Sequence, residues 1–344
     1  MTTSSYAASG GIGSSFALTM VEPGLGEMKT RRSFWARLRS PIGRRLLKLV
    51  VVAMVLSTTV KWTVLAPMMH EIDANVEFVP ANAPEGSSAA VAMAAGLIDR
   101  EINDHGWTPN DPWFFPTAPL DNMPNFQRGV MRATSWFTIE LLDQIGRIRG
   151  AGANDGDLER AAGLLQFPAD VWIIDPDTSW LPTATSEEQY RSAVMLLQRY
   201  NERVASGQAV FELRADALAT TLRQMSVDLA SQAALIDRVT SVDRRFIDTS
   251  ADDLFYQNKG MLYAYYMILN SLGADFEGLI GERTLGLGWA QALEDLRKGS
   301  QLQPLFVLNA DSDRSIFANH LMLQGFYMKR AILQLEEVVN VLVV

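Results

Sequence analysis

Cysteine is absent from this 344-residue chain. That absence excludes disulfides, zinc thiolate sites, iron–sulfur clusters and cysteine nucleophiles. Imidazole is nearly as scarce, with His70, His105 and His320 the only three. Glu101 and His105 stand four apart, which is ligand spacing on a helix, and equally the spacing of a solvated ion pair. Signature motifs are missing too: the chain has no Gly-x-Ser-x-Gly, no Ser-x-x-Lys, no His-Glu-x-x-His and no Walker A loop. Gly286-Leu287-Gly288 is only a fragment of a dinucleotide fingerprint. Asp175-Pro176-Asp177 begins like a calcium loop, but Trp180 stands where the loop needs glycine and Ser186 where it needs glutamate. No cofactor, metal or catalytic residue is implied by any of these.

Positive charge is missing from the bulk of the chain. Residues 1–48 hold eight basic and two acidic residues, while the rest carries a net charge of −15. Nucleic-acid binding needs a basic face, so that class is excluded for the bulk.

A long uninterrupted apolar run is also lacking. Leu49–Val60 is twelve residues without a charge, too short to span a bilayer. Widened to Leu46–Met69 it becomes 24 residues broken by Lys48 and Lys61. As a helix that run would reach about 36 Å, against a hydrocarbon core of about 30 Å. Both lysines fall near its edges and can snorkel, and Trp62 suits an interfacial anchor. Basic residues precede the run and acidic ones follow it. The positive-inside rule then puts the N-terminus in the cytoplasm and the main domain across the membrane. The expected organisation is a disordered, basic arm over 1–45, a transmembrane helix over 46–69, a linker over 70–88, and an all-helical extracytoplasmic domain over 89–344.

That domain is expected to be an all-α bundle of seven to nine helices with long antiparallel members. Ser88–Asp104 repeats Val91, Ala95, Ile98 and Ile102 on one face. Five prolines between Pro109 and Pro124 forbid a helix there, and Asp121 or Asn122 can cap the next one, which runs to about Arg149. Asp155–Gln166 reads as a short helix, and Thr185-Ser186-Glu187-Glu188 opens another that ends at Gly207. Leu218, Leu222, Met225, Leu229, Gln232, Ile236 and Val239 form a heptad seam. Phe317, Leu321, Gln324, Met328, Ala331, Leu335, Val338 and Leu342 form a second. Matching seams predict lengthwise packing, as antiparallel neighbours in one bundle or as a coiled coil between chains; the oligomeric state stays open. Phe126–Met131 echoes Tyr256–Met261, with a weaker third copy at Phe317–Met322. Duplication and chance both account for the echo.

The densest polar and aromatic stretch is Trp107–Gln127. Trp107, Asn110, Asp111, Trp113, Phe114, Asp121, Asn122, Asn125 and Gln127 combine rigid aromatic faces with amides and carboxylates, the makings of a glycan or protein contact. The same composition also builds a Pro-rich strap whose aromatics cap a core and whose Asn and Asp satisfy turns. Asp170–Trp180 offers a weaker set of the same kind.

The basic arm, the single anchor, Gly106-Trp107-Thr108-Pro109-Asn110-Asp111 and Leu120-Asp121-Asn122-Met123-Pro124-Asn125-Phe126-Gln127 together resemble the proteobacterial inner-membrane family of domain of unknown function 2333. The resemblance covers about residues 30–344. It implies a bacterial envelope location and no catalytic residues. The expected role is an envelope scaffold or binding module that contacts another envelope protein or a glycan. The alternative is a cell-wall hydrolase working through an acidic residue of raised pKa.

Overall fold

The computed structural model describes residues 40–60, 72–81, 83–112, 115, 121–149, 155–174, 181–242, 249–303 and 320–343. The chain divides into two units, Met1–Val60 and Lys61–Val344.

In the first unit helix α1 spans Pro41–Val60. Proline at the first helical position loses no hydrogen bond, and the Ser40 hydroxyl accepts from the Gly43 amide at 2.9 Å. None of its 20 residues is buried. Leu49 is 66% exposed and Met54 65%. Among the described residues no helix is long and apolar enough to cross a membrane. Residues 61–69, over which the expected span continues, lie outside the described residues, as do residues 1–39 of the arm.

The described residues of the second unit are helical or irregular, with no strand. Helix α2 (Ala89–Asp99) runs straight into a π-helical turn (Arg100–Asp104). It is followed by α3 (Asn122–Arg149), α4 (Gly156–Leu165), α5 (Ser186–Ala205), α6 (Ala215–Val242), α7 (Thr249–Asp275), α8 (Glu277–Glu282), α9 (Gly286–Ser300) and α10 (His320–Val343). The helix starts follow from local chemistry. Ser88 accepts from the Val91 amide, Asp155 from the amides of Asp157 and Leu158, and Thr185 forms a capping box with Glu188. Gly207 ends α5 at φ 72° and Gly106 follows the π-turn at φ 76°, a region that favours glycine.

Helix α7 is the hub. It packs against α3, α9, α2, α10 and α6, and most of its residues from Phe255 to Leu272 are buried on every side. It therefore shows little amphipathic periodicity. The seams of α6 and α10 meet lengthwise within the chain. Gly325 faces Ile236, and Lys329 bonds Asp237 at 2.7 Å. Farther along, Ser226 and Ala230 of α6 share a groove with Glu336 and Val339 of α10, so the pair is antiparallel. Pairings of Gly299 with Tyr327 and Gly288 with Val338 make α9 and α10 antiparallel as well.

The expectation of antiparallel long helices fails at the centre. Helices α3 and α7 are parallel, with their N-termini together. Asn125 bonds Asp253, Gly129 lies on Gln257, and Tyr265 and Phe137 line one small cavity farther along. Two glycines set the approach. A β-carbon on Gly129 would fall 2.0 Å from the Gln257 carbonyl oxygen, and one on Gly260 would fall 2.0 Å from that of Phe126. Only glycine permits backbones this close. Arg132 of α3 and Tyr265 of α7 (2.8 Å) both bond the buried Asp228 of α6, the arginine through Nε and Nη2, closing the three-helix junction.

Candidate functional site

The predicted loop residues divide into a buried tie and an exposed end. Trp107 is 5% exposed. Its indole N–H donates to the Ala169 carbonyl (2.8 Å) and its ring meets Tyr190 edge-on at 5.1 Å. Gln127 is fully buried. Its amide nitrogen donates to the carbonyls of Gly106 (2.8 Å) and Glu101 (3.2 Å), and its oxygen accepts from the Thr108 amide (3.0 Å) and hydroxyl (2.8 Å). Asn110, also buried, donates to Val171 O and the Glu187 carboxylate at 2.9 and 2.8 Å, and its own oxygen has no partner. Asn125 donates to Asp253 (2.6 Å) and accepts from Arg128 (3.2 Å), which also donates to Pro109 O (3.3 Å). Asp111 is half-buried beside this tie. Trp113 and Phe114 lie outside the described residues, as do residues 175–180 of the weaker Asp170–Trp180 set. Ser186, weighed as a calcium-loop position, is buried at the start of α5 and bonds Pro168 O at 2.8 Å.

Asp121 is exposed and Asn122 half-buried, where the N-termini of α3 and α7 meet. No local pattern pointed to Asp252 and Asp253 as neighbours of Asp121, because they stand some 130 residues away along the chain. Burial, with the charges of Asp121 and Asp253, pushes Asp252 up to about 6. Burial and Asp121 also push Asp253 up, against the Asn125 amide and Arg128. Burial is the larger cause in both, since it disfavours the charged form, and like charges this near add to it. Burial, then Asp252, raises the Tyr256 phenol at the same corner.

The second constellation is buried. Glu101 and His105 are not a solvated pair on one α-helical face. The π-turn places Glu101 at 0% exposure against Arg100, with Oε1 at 2.9 Å from Nη2, while His105 faces Asp73 at 3.7 Å. Arg100 is 4% exposed and lies over the rings of Phe78 (4.8 Å) and Tyr263 (5.1 Å). Burial raises the Glu101 pKa against the pull of Arg100, and Glu101 Oε2 has no hydrogen-bond partner. Glutamate this deep has no surface on which a polymeric substrate could reach it. π-Turns recur at functional sites, which draws attention to this one.

Among the described residues no group of three or more His, Asp or Glu side chains could hold a metal ion. Two clefts of about 380 and 340 Å³ lie elsewhere, beside Gln144 and Arg147 and between α6 and α10.

No curated protein and no solved structure matches the chain. The family model described as an uncharacterized protein conserved in bacteria, domain of unknown function 2333, matches residues 31–251, a stretch that includes both loop motifs and the junction of α3 with α6; the chain belongs to that family.

Proposed function

We propose that this chain is a single-pass protein of the bacterial inner membrane, N-terminus cytoplasmic and helical bundle periplasmic. Its bundle serves as a scaffold or binding module for another envelope protein or a glycan. Helix α1 carries the anchor: none of its residues is buried, and its leucines, valines and methionine stand open on all sides from Leu46 to Val60. The uncharged stretch Leu49–Leu56 within it is apolar on every face, and such a stretch is best accommodated by an apolar surrounding. Continued to Met69, the run has the length for a hydrocarbon core, with the basic cluster on the cytoplasmic side.

The contact surface is the exposed end of the loop region, where Asp121, with the half-buried Asn122 beside it in the chain, meets Asp252, Asp253 and Tyr256. The glycine crossing of α3 and α7 and the Gln127 tie fix this corner, so a partner would meet a pre-ordered acidic and amide surface. A photo-crosslinking residue at Asp121 in living cells, with alkaline washing of the membranes, tests both parts. The chain should stay in the washed membranes, and the probe should capture one envelope component. A chain that washes off would end the anchor reading. An Asp121 probe that captures nothing would end the contact reading.

Asp252 favours a second reading. A half-buried carboxyl held near 6 beside another carboxylate is suited to general-acid chemistry on a glycan. Soluble fragments released from purified peptidoglycan by the wild type and not by Asp252→Asn would decide for a hydrolase.

A further inference from the structure

Residues 72–80 lie on the bundle surface with one turn at Val76–Glu77, and the bundle holds them mainly by their backbone. Three successive carbonyls are taken by three side chains from three elements. Arg100 of the π-turn donates to Asp73 O (3.0 Å), Gln301 beyond α9 to Ala74 O (2.7 Å), and Tyr263 of α7 to Asn75 O (2.6 Å). Phe78 then lies against the Arg100 guanidinium, and Pro80 seats on Gly96 of α2. None of the strap's nine residues is fully buried and Asn75, Glu77 and Val79 are exposed, so its apolar hold is limited to the half-buried Ile72, Ala74, Phe78 and Pro80.

Arg100 and Glu101 face two ways. Toward the strap, Arg100 holds Asp73 and Glu101 holds Arg100. Toward the loop, the Glu101 carbonyl accepts from Gln127, the same amide that fixes Gly106 and Thr108. The element between them is discrete. The His105 amide bonds the carbonyl five residues back, at Arg100. An α-helical register would shift every partner by one residue and rotate Glu101–Asp104 about the axis. A packed turn with two such registers switches and does not creep.

We propose that residues 72–80 are a releasable strap, and that its release is coupled through the Arg100–Glu101 π-turn and Gln127 to loosening of loop 106–112. Losing the strap strips Arg100 of its Asp73 carbonyl and opens the ion pair to water, which removes the reason for that pair to stay where the π-turn holds it. The proposal deepens the reading above, as regulation of the same loop region. Its test needs no partner, so failure to capture one at Asp121 would leave it standing.

Gly96 supplies the wedge. A β-carbon there would fall 2.7 Å from the Pro80 β-carbon and 3.5 Å from the Phe78 ring, while the π-turn and Gln127 are untouched. Alanine also suits a helix interior better than glycine, so the fold should survive. Hydrogen exchange followed by mass spectrometry on the full-length chain gives the readout. Gly96→Ala should speed exchange over 72–80 about tenfold and speed 106–112 with it, leaving α4 and α10 unchanged. Tyr263→Phe removes the hydroxyl shared by Asn75 and Arg100 and should do the same from the other end of the strap. A strap that opens while 106–112 keeps its wild-type rate overturns the coupling. A strap that opens in neither variant overturns its releasability, and uniform acceleration throughout the chain means global unfolding and overturns both.

Discussion

Gly129→Ala tests the parallel crossing on which the acidic corner depends. The added β-carbon would fall 2.0 Å from the Gln257 carbonyl oxygen and 2.8 Å from the Met261 nitrogen. Both are backbone atoms, so no rotamer change relieves the clash. In a close-packed interior the helices must part by about 1 Å to restore normal contact. Overpacking of this kind costs about 3 kcal/mol, the upper end of the usual range, because only backbone can move. Alanine's better helix propensity returns about 0.5–1 kcal/mol, leaving a net loss of about 2 kcal/mol. Thermal unfolding of the full-length chain, followed by circular dichroism in detergent, should show a melting point lower by about 4 °C. Gly163→Ala is the matched control, since nothing lies within 4 Å of its would-be β-carbon. It should gain about 0.5–1 kcal/mol from propensity alone. A Gly129→Ala chain that melts at or above the wild type would refute the crossing, and with it the claim that Asp121 and Asp252 are held together.

Asp252 ionises near 6 in the fold and near 3.9 in an unfolded chain, so the native state keeps the extra proton between those values. Its contribution to stability is full below about pH 4 and is lost as pH rises through about 6. Asp252→Asn should therefore raise stability at neutral pH by roughly 1 kcal/mol, a figure discounted for partial exposure, and leave it unchanged near pH 4. Urea midpoints at the two pH values check this, and a midpoint that falls at neutral pH would contradict it. Gln127→Leu strands the Thr108 amide and the Gly106 carbonyl in the interior, for an expected loss of about 2–4 kcal/mol. An unchanged urea midpoint would show that the tie is dispensable. Lys259 is buried with one hydrogen bond, to Leu302 O at 2.7 Å, and burial lowers its pKa to about 8. Its contribution is full above about 10.4 and is lost as pH falls through about 8, so at neutral pH the charge costs stability. Lys259→Met should gain about 1 kcal/mol near pH 7 and lose that advantage near pH 10, read as melting points at both.

Much of the fold was legible because its determinants are local. Ser88, Asp155 and Thr185 open helices with their own side chains, so a short window of sequence suffices. Within the described residues the seam on α6 is buried from Leu218 to Ile236 and half-buried at its last predicted member, Val239, and that on α10 is buried from Leu321 to Leu342, Gln232 and Gln324 included; Phe317, the first predicted member of the second seam, lies outside the described residues. Each helix has one partner-facing stripe, so period alone marks it. Helix α7 has neighbours on all sides and no polar stripe to give a phase. Its place at the hub follows from tertiary contacts only.

The site was harder to read for a related reason. Trp107, Asn110, Asn125 and Gln127 are where their chemistry is spent inward, on carbonyls and carboxylates up to about 130 residues away, and composition gives no direction to a side chain. Glu101 and His105 were paired on the assumption of α geometry, which the π-turn breaks by a single residue. The echo between Phe126–Met131 and Tyr256–Met261 shows the limit most clearly. Aligned by side-chain likeness, the segments differ by 130 positions. Packed in the molecule, Phe126 stands to Gly260 as Gln257 stands to Gly129, which pairs the two glycines at a spacing of 131. What brings the helices together is the absence of a β-carbon on each, and an alignment scored on similar side chains gives that absence no weight. The spacing of 131 also sets Asp121 level with Asp252, so the register chosen by two glycines is what assembles the acidic corner. The third segment, Phe317–Met322, lies partly outside the described residues, and its described part opens α10; two residues beyond it Gln324 reaches the Phe255 carbonyl at 3.1 Å. Helix α10 therefore meets α7 here by a side chain, where α3 meets α7 by backbone.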